Sequence, residues 1–363
     1  MDIADLTEEL VAIPSHRAGD HDERAAGDFI ASWLRERTDA TVRRDEAGNV
    51  IARKGTGPSL ALVGHHDVVP PDDSQVEGDD YAVERRDGRL YGRGTADMKG
   101  CVAAAMLAFA AVDPAGELVF ASFVGEEQGG IGCWAAIEDG FAPDYAVVGE
   151  GSTGYSAAGV TDVAVAHKGR RGSTIVAEGE AAHASEPGAG ENAVYRACDA
   201  VDVVRDIQFP ETAVLGHSLS GSVAVTEIDG GSAWNVVPER CEVTVDERTV
   251  PGERAPLSRV ETVDGVSLRI DQDLPPMACG DAAFADAVQS AAAAAQDGPP
   301  EQVVKPHATD AGWLADAGTD CVVVGAAEPG EAHTADESVS IDVLDRCRAI
   351  YGRVARTWDG AEN

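Results

Sequence analysis

The stretch Gly64-His65-His66-Asp67-Val68-Val69-Pro70 follows the short apolar run Leu60-Ala61-Leu62-Val63. That run reads as a buried strand, so His65 and Asp67 emerge at its carboxyl end, where open α/β sheets place ligands. An imidazole there can bind a metal while a neighbouring carboxylate holds its other nitrogen and raises its basicity. Taken alone, the heptapeptide reads equally well as a polar loop with incidental histidines. A second apolar strand, 117–124, ends at Glu126-Glu127. Adjacent carboxylates repel, and chains tolerate this where a cation or a proton relieves it. One can bind metal while the other, with its pKa raised beside a water, moves protons; the plain alternative is a solvated acidic turn. A third strand, 145–148, ends at Glu150, and His333 follows the later strand 321–324.

Between the first two strands lies Gly92-Arg93-Gly94-Thr95-Ala96-Asp97-Met98-Lys99-Gly100. No Gly-Lys-Ser/Thr follows these glycines, so a phosphate loop is excluded. The turn presents Asp97 just ahead of an alanine-rich helix, 101–112, where its carboxylate could bridge two metals or cap the helix. Three successive strands closing on His/Asp, Glu/Glu and Glu, with Asp97 between, point to one shared site.

The supporting elements follow from periodicity. Helices are expected over 2–13 and 21–37, with His16 and His21 in the polar link between them, and hairpins over 40–53 and 81–91, the second turning at Asp87-Gly88. From about residue 169 the strand–helix alternation gives way to antiparallel-looking strands (174–178, 223–228, 242–248) and one helix, 192–204. An α+β insert to about 274 is therefore expected. Alternation returns after Pro275-Pro276 with helices over 282–295, 310–317 and 341–357 and strands over 303–305 and 321–324.

The motifs GHHDVVP, GRGTADMKG, GEEQGG, GEGS, the Ala182-His183-Ala184-Ser185 stretch, GGSAWNVVP (230–238) and AHTADE occur in this order and span nearly the whole chain. Together they resemble the acetylornithine deacetylase / succinyl-diaminopimelate desuccinylase / carboxypeptidase G family of co-catalytic zinc hydrolases. The resemblance implies an α/β, di-zinc aminopeptidase-like catalytic domain, with a mixed central sheet flanked by helices, built from 1–168 and 275–363. It also implies an inserted α+β, ferredoxin-like lid and dimerisation domain over 169–274. It implies two Zn2+ per subunit, replaceable by Co2+ or Mn2+. His65 and Glu150 would bind one ion, Glu127 and His333 the other, and Asp97 would bridge them. Asp67 would orient His65, Glu126 would act as general base, and His183 of the lid would stabilise the oxyanion, often across a homodimer. Asn235 and Arg248 sit where the family holds the substrate carboxylate, which an arginine fork suits, and Thr309 lines the pocket with Asp310. On their own residues, His183 also reads as a surface histidine and Arg248 as a surface ion-pair partner; His66, His167 and His217 receive no role. Where the family often carries Gly-Thr-x-Asp-x-Arg, this chain has His307-Ala308-Thr309-Asp310-Ala311-Gly312-Trp313, without the arginine and with an added tryptophan.

The implied activity is removal of an acyl group from a small N-acyl amino acid, with N-succinyl-diaminopimelate of lysine biosynthesis first and N-acetylornithine next. A carboxypeptidase or dipeptidase is the alternative, and a non-catalytic ligand-binding relative a remote one. Glu150, where dipeptidase relatives tend to have aspartate, leans towards deacylases and carboxypeptidases. A binding protein would have no need of Glu126.

Composition bounds the partners. The 363 residues are 44% hydrophobic and 25% charged, as in globular chains of this length. Sixty-four Asp and Glu against 28 Lys and Arg give a net charge of -36, which repels nucleic acid and anionic membranes. The seven cysteines are single, with no CxxC pair, so a reduced chain is expected. Its opening residues carry no signal-peptide pattern and no apolar run reaches the ~18 residues of a membrane span, so a cytoplasmic protein is expected. Four lysines in so acidic a chain suit a salt-rich cytoplasm, the composition of a halophile. At 1 M salt the screening length falls to about 3 Å, relieving self-repulsion. Thermal unfolding in increasing potassium chloride should therefore shift to higher temperature; a midpoint that stays flat or falls would remove the halophile reading.

Overall fold

The computed structural model describes residues 2–17, 22–78 and 80–360. His21, where the second helix was expected to begin, lies outside them. The chain divides into two compact units, one of Met1–His167, Met277–Lys305 and Thr309–Asn363, the other of Lys168–Pro276 and Pro306–Ala308.

The first unit is built on a nine-stranded mixed sheet. At its centre Glu117–Phe123, Ser59–His65, Tyr145–Val148 and Asp320–Val323 lie side by side and parallel, with His65 level with Phe123 and Val63 level with Val148. The hairpin Thr41–Arg44/Val50–Lys54 adds antiparallel to one side, and Val163–His167 to the other. Strands covered on both faces need continuous apolar runs, and Ser59–His65 is buried at every position. One face sends Ala61, Val63, Val119, Ala121, Phe123, Ala146, Val148, Cys321 and Val323 into a core shared with Cys133, Ala136, Phe141, Ala311 and Leu314. On the other face Phe120 meets Phe109 of the helix Gly100–Ala111 edge to face at 6.2 Å. That helix is apolar on all sides because it lies between the sheet and Ile341–Thr357. The latter is amphipathic, burying Val343, Leu344, Cys347, Ile350, Tyr351 and Val354 along one stripe. Mixed sheet and flanking helices are the architecture expected from the sequence.

Several elements differ from expectation. The second helix is seen over Arg24–Arg37. The helix Ile131–Glu138 and the buried strand Val163–His167 were not anticipated: one is short and follows a Gly-Gly turn, the other is a four-residue apolar run ending in a histidine, without alternation. Among the described residues no helix is long and apolar enough to cross a membrane.

The second unit is a four-stranded antiparallel sheet in the order Ser222–Gly230, Arg240–Thr249, Gly169–Glu178, Val266–Leu274. The strand Val266–Leu274 escaped the sequence reading because acidic and basic residues break its pattern. The helix Ala193–Arg205 covers one face, packing Ala193, Ala197, Ala200 and Val204 on Ile175, Ala177, Cys241, Val243 and Val245. Where a split βαβ fold has its second helix, this unit has the 3-10 turn Leu257–Thr262.

Candidate metal centre

Parallel strands deliver their carboxyl ends to one edge of the sheet, and His65, Glu126, Glu127 and Glu150 all leave from that edge. Asp97 reaches them from the turn Thr95–Lys99, seated by Met98, which is 1% exposed. A Cβ on Gly64 would stand 2.6 Å from Met98 Cε, and one on Gly149 2.7 Å from it. These two glycines, each just ahead of a candidate ligand, make the room in which Met98 sits down on the strand ends. The turn does not cap the following helix: Lys99 occupies that position without a side-chain cap, and the Asp97 carboxylate points elsewhere.

Asp97 divides its oxygens between two imidazoles. Oδ1 is 3.0 Å from His65 Nε2 and Oδ2 is 3.1 Å from His333 Nε2. The same nitrogens meet Glu150 Oε1 at 3.4 Å and Glu127 Oε1 at 2.9 Å. A continuous row thus runs Glu150, His65, Asp97, His333, Glu127. His333 adopts a left-handed backbone (φ 62°), uncommon for a residue with a side chain and frequent at functional sites. Ligand atoms of His65, Asp97 and Glu127 all lie within 4.8 Å of one another, as do those of His65, Glu126 and Glu150. Nitrogen and oxygen donors without cysteine suit a zinc-like divalent ion, so the side chains fit such a group. Glu126 lies within reach of the same point as His65 and Glu150, the proximity a base would need to a water there.

Asp67 does more than the sequence suggested. His65 Nδ1 is 3.0 Å from the Asp67 backbone carbonyl and 3.4 Å from its carboxylate. The Asp67 oxygens accept the backbone N–H groups of Glu126 and Glu127, each at 3.1 Å. One buried residue therefore meets the imidazole through its carbonyl and, more distantly, its carboxylate, and with that carboxylate pins the acidic turn of the next strand.

Burial and crowding set the protonation states. Burial, with Glu150, Asp310 and Glu127 adding to it against His65, pushes Glu126 well above the usual carboxylate range. Glu127 is raised by burial although His333 opposes it. Burial would also raise Asp97, but its hydrogen bonds from His333 and His65 prevail and hold it low. Burial opposes protonation of His65, yet its carboxylate partners Asp67, Asp97 and Glu150 lift it well above the ordinary histidine value. Hydrogen bonds to Asp97 and Glu127 raise His333 to about 10. Without metal, protons on the two imidazoles thus supply the positive charge these carboxylates require.

Further residues complete the surroundings. Buried Glu337 accepts three backbone N–H groups of the Asp97 turn and pairs with Arg93. Both stand inside quoted motifs, and an arginine within a glycine-rich turn was the available signal that a buried anion must face it. Lys305 donates to the Gly151 carbonyl at 2.5 Å, and burial lowers its pKa. Burial raises Asp310 to about 8, and neither of its carboxylate oxygens has a hydrogen-bond partner. Trp313 donates its indole N–H to the Gly129 carbonyl at 3.1 Å, bracing the turn that follows Glu127. Thr309 caps the helix Asp310–Asp316 and lies 3.1 Å from His167 Nε2, so its hydroxyl is engaged internally. His66 is buried against Ser122 Oγ at 2.8 Å, and burial depresses it to about 3.

His183, Asn235 and Arg248 belong to the second unit. His183 is exposed, with Nδ1 2.6 Å from Ser185 Oγ, and pairs with Val236 in a short ladder; Asn235 accepts from the Ala184 N–H at 2.9 Å beside it. Arg248, on the long strand Arg240–Thr249, forks onto Asp246 at 2.7 and 3.3 Å.

The family described as peptidase family M20/M25/M40 matches residues 61–357. A succinyl-diaminopimelate desuccinylase from Xanthomonas oryzae pv. oryzae (strain MAFF 311018) is 29% identical over 382 residues, covering 96% of this chain and 97% of its own length. An acetylornithine deacetylase from Myxococcus xanthus is 30% identical over 344 residues, covering 87% and 86%. Among solved structures, the aminopeptidase PepT from Bacillus cereus ATCC 10987 superposes with a TM-score of 0.78 at 18% identity, covering 97% of each chain. That likeness shows the fold.

Because hydrogen bonds to Asp97 and Glu127 raise His333 to about 10, a cation held by His333 near neutrality would have to displace its proton. Zinc added to the metal-free protein should therefore release protons and bind more tightly as pH rises from about 6 to about 8. Calorimetry in buffers of different ionisation enthalpy reads both, and affinity independent of pH would contradict this electrostatic reading.

Proposed function

Since the chain belongs to the peptidase family M20/M25/M40, we propose that it is a metal-dependent hydrolase that cleaves the amide of an N-acyl amino acid, N-succinyl-diaminopimelate first. The observation that carries the reading is the Asp97 carboxylate shared between the Nε2 atoms of His65 and His333 at 3.0 and 3.1 Å. His65 and Glu150 would hold one ion, Glu127 and His333 the other, and Asp97 both. Two divalent ions, zinc in the first instance, supply Lewis acidity toward the scissile carbonyl and toward the attacking water.

The remaining work falls to the side chains. Asp67 fixes the face that His65 presents. Glu126, its proton affinity raised by burial and neighbouring carboxylates, takes a proton from water as the carbon–oxygen bond forms. It returns that proton to the nitrogen as the carbon–nitrogen bond breaks, leaving a carboxylic acid and a free amine. In this proposal His183 of the inserted unit steadies the developing oxyanion, across a homodimer formed through that unit. Arg248 and Asn235 take the substrate carboxylate, Arg248 leaving Asp246 to do so, and Thr309 lines the pocket. The relatives' names support an acyl-amino-acid substrate. They are similar in identity, 29% and 30%, and differ in both the acyl group and the amino acid that their names give, so N-acetylornithine is the second candidate.

Protein supplied with zinc or cobalt in molar potassium chloride should release succinate from N-succinyl-diaminopimelate faster than acetate from N-acetylornithine or amino acids from dipeptides. The reverse order would reassign the substrate, and inactivity on all three, with metal bound, would end the hydrolase proposal. Glu126→Gln should retain both ions while lowering kcat about 10²- to 10⁴-fold; near-normal turnover would remove Glu126 as the base.

A further inference from the structure

Asp97 sits on a turn, and turns hold a side chain to tight tolerance only when something fixes their backbone. Here the fixing group is Glu337, which is 1% exposed. Its Oε1 accepts the N–H groups of Gly94 (2.9 Å), Ala96 (3.0 Å) and Asp97 itself (3.2 Å). Its Oε2 pairs with Arg93, only 4% exposed, and its backbone carbonyl accepts the Gly92 N–H at 3.0 Å. Four backbone N–H groups of this stretch, those of Gly92, Gly94, Ala96 and Asp97, thus converge on one residue, while Thr95 donates its N–H to the Gly92 carbonyl at 3.2 Å. Glu337 also lies just beyond His333 in the chain, in a segment tied down by Gln75 Nε2 on the Thr334 carbonyl at 3.1 Å. The residue that shapes the Asp97 turn therefore belongs to the segment that brings His333 to Asp97 Oδ2.

We propose that Glu337, with Arg93 as its counter-charge, is a positioning residue that sets Asp97 between the two imidazoles and so builds the shared-carboxylate site from two distant segments. The inference rests on the metal-dependent reading above. Glu337 touches neither substrate nor ion. It acts through the turn backbone: removing its carboxylate leaves buried N–H groups and a guanidinium without partners, and the turn must rearrange to satisfy them. A displacement of Asp97 by a fraction of its hydrogen-bond length would open the gap to one histidine or the other.

The test compares Glu337→Ala, Glu337→Asp and Glu337→Gln with wild type, using cobalt alone as the probe. Calorimetry gives affinity, the visible cobalt spectrum gives coordination, and thermal unfolding monitors the fold. Glu337→Ala should lose affinity by about 10- to 100-fold, the loss usual when a group orienting a metal ligand is removed, and its cobalt spectrum should change. In the zinc-loaded enzyme kcat should fall more than KM rises. Glu337→Asp withdraws the carboxylate by one methylene and should show the same loss, which keeps the test open if the alanine variant does not fold. Glu337→Gln retains an oxygen for the three N–H groups and should recover much of the affinity. Alanine and aspartate variants that melt earlier yet bind cobalt with wild-type affinity and spectrum would overturn the role while leaving the metal reading intact. Failure of the wild type to bind cobalt would overturn both.

Discussion

A cluster of carboxylates crowded together and largely withdrawn from water is the constraint on which the rest of this molecule depends. Asp67, Asp97, Glu126, Glu127, Glu150 and Asp310 interact electrostatically around a point where His65, His333 and Lys305 are the facing bases. Uncompensated buried charges are among the most expensive features a fold can carry. In the metal-free chain part of the relief comes from neutralising Glu126 and Asp310, and part from protons held on the histidines. Divalent cations would relieve it more completely, because each brings charge without occupying a side chain. The electrostatic repulsion among these carboxylates is thus the same term that would drive ion uptake.

Such a cluster survives only on rigid supports. Three of the four parallel strands fix the starting points of the His65, Glu126, Glu127 and Glu150 segments, and their positions are locked by the ladder register. The Asp97 turn lacks a strand of its own and is held from two sides: Met98 fills the space left by Gly64 and Gly149, and Glu337 gathers the turn's N–H groups. Asp67 supplies the cross-tie between neighbouring strands. Sheet, glycine gap and buried anions cooperate, and they act chiefly on the backbone, Asp67 alone also reaching the His65 imidazole.

This division explains what the sequence disclosed. His65, Asp67, Glu126, Glu127 and Glu150 were legible because they follow apolar runs, and a strand end is a local pattern, while Asp97 was marked by the glycine-rich turn ahead of an alanine-rich helix. The central strands and the alanine-rich helix were legible for the same reason. Glu337 was not, since an acidic residue in an acidic chain gives no sign of its own that it will be buried; the one signal, Arg93 within the glycine-rich turn, is far away in sequence and does not say which acid faces it. The second role of Asp67 was hidden similarly, because a carboxylate binding backbone N–H groups leaves no trace in residue spacing. Strand Val266–Leu274 was missed where charged residues on an exposed sheet obscured alternation, as Arg269 and Asp271 pair with each other along it. Arg248 shows the reverse case: its type suits carboxylate recognition, and Asp246 is the carboxylate it holds in this structure.

The charge composition acts differently at the surface and inside. Of the four lysines, Lys99 and Lys305 are buried, donating to the backbone carbonyls of Ile13 and Gly151. Surface cations are therefore almost all arginines, and many pair with acids across strands, as Arg171 does with Asp273 at 2.7 Å and Arg170 with Asp246 at 2.8 Å. Exposed pairs of this kind contribute little individually and weaken in salt. Salt therefore costs the surface little in lost ion pairs, while it screens the much larger repulsion among unpaired acids. The buried centre is largely unscreened. Its carboxylates must be balanced by histidines, Lys305 or bound cations at any ionic strength, and this separation allows so acidic a chain to keep a dense anionic site at its heart.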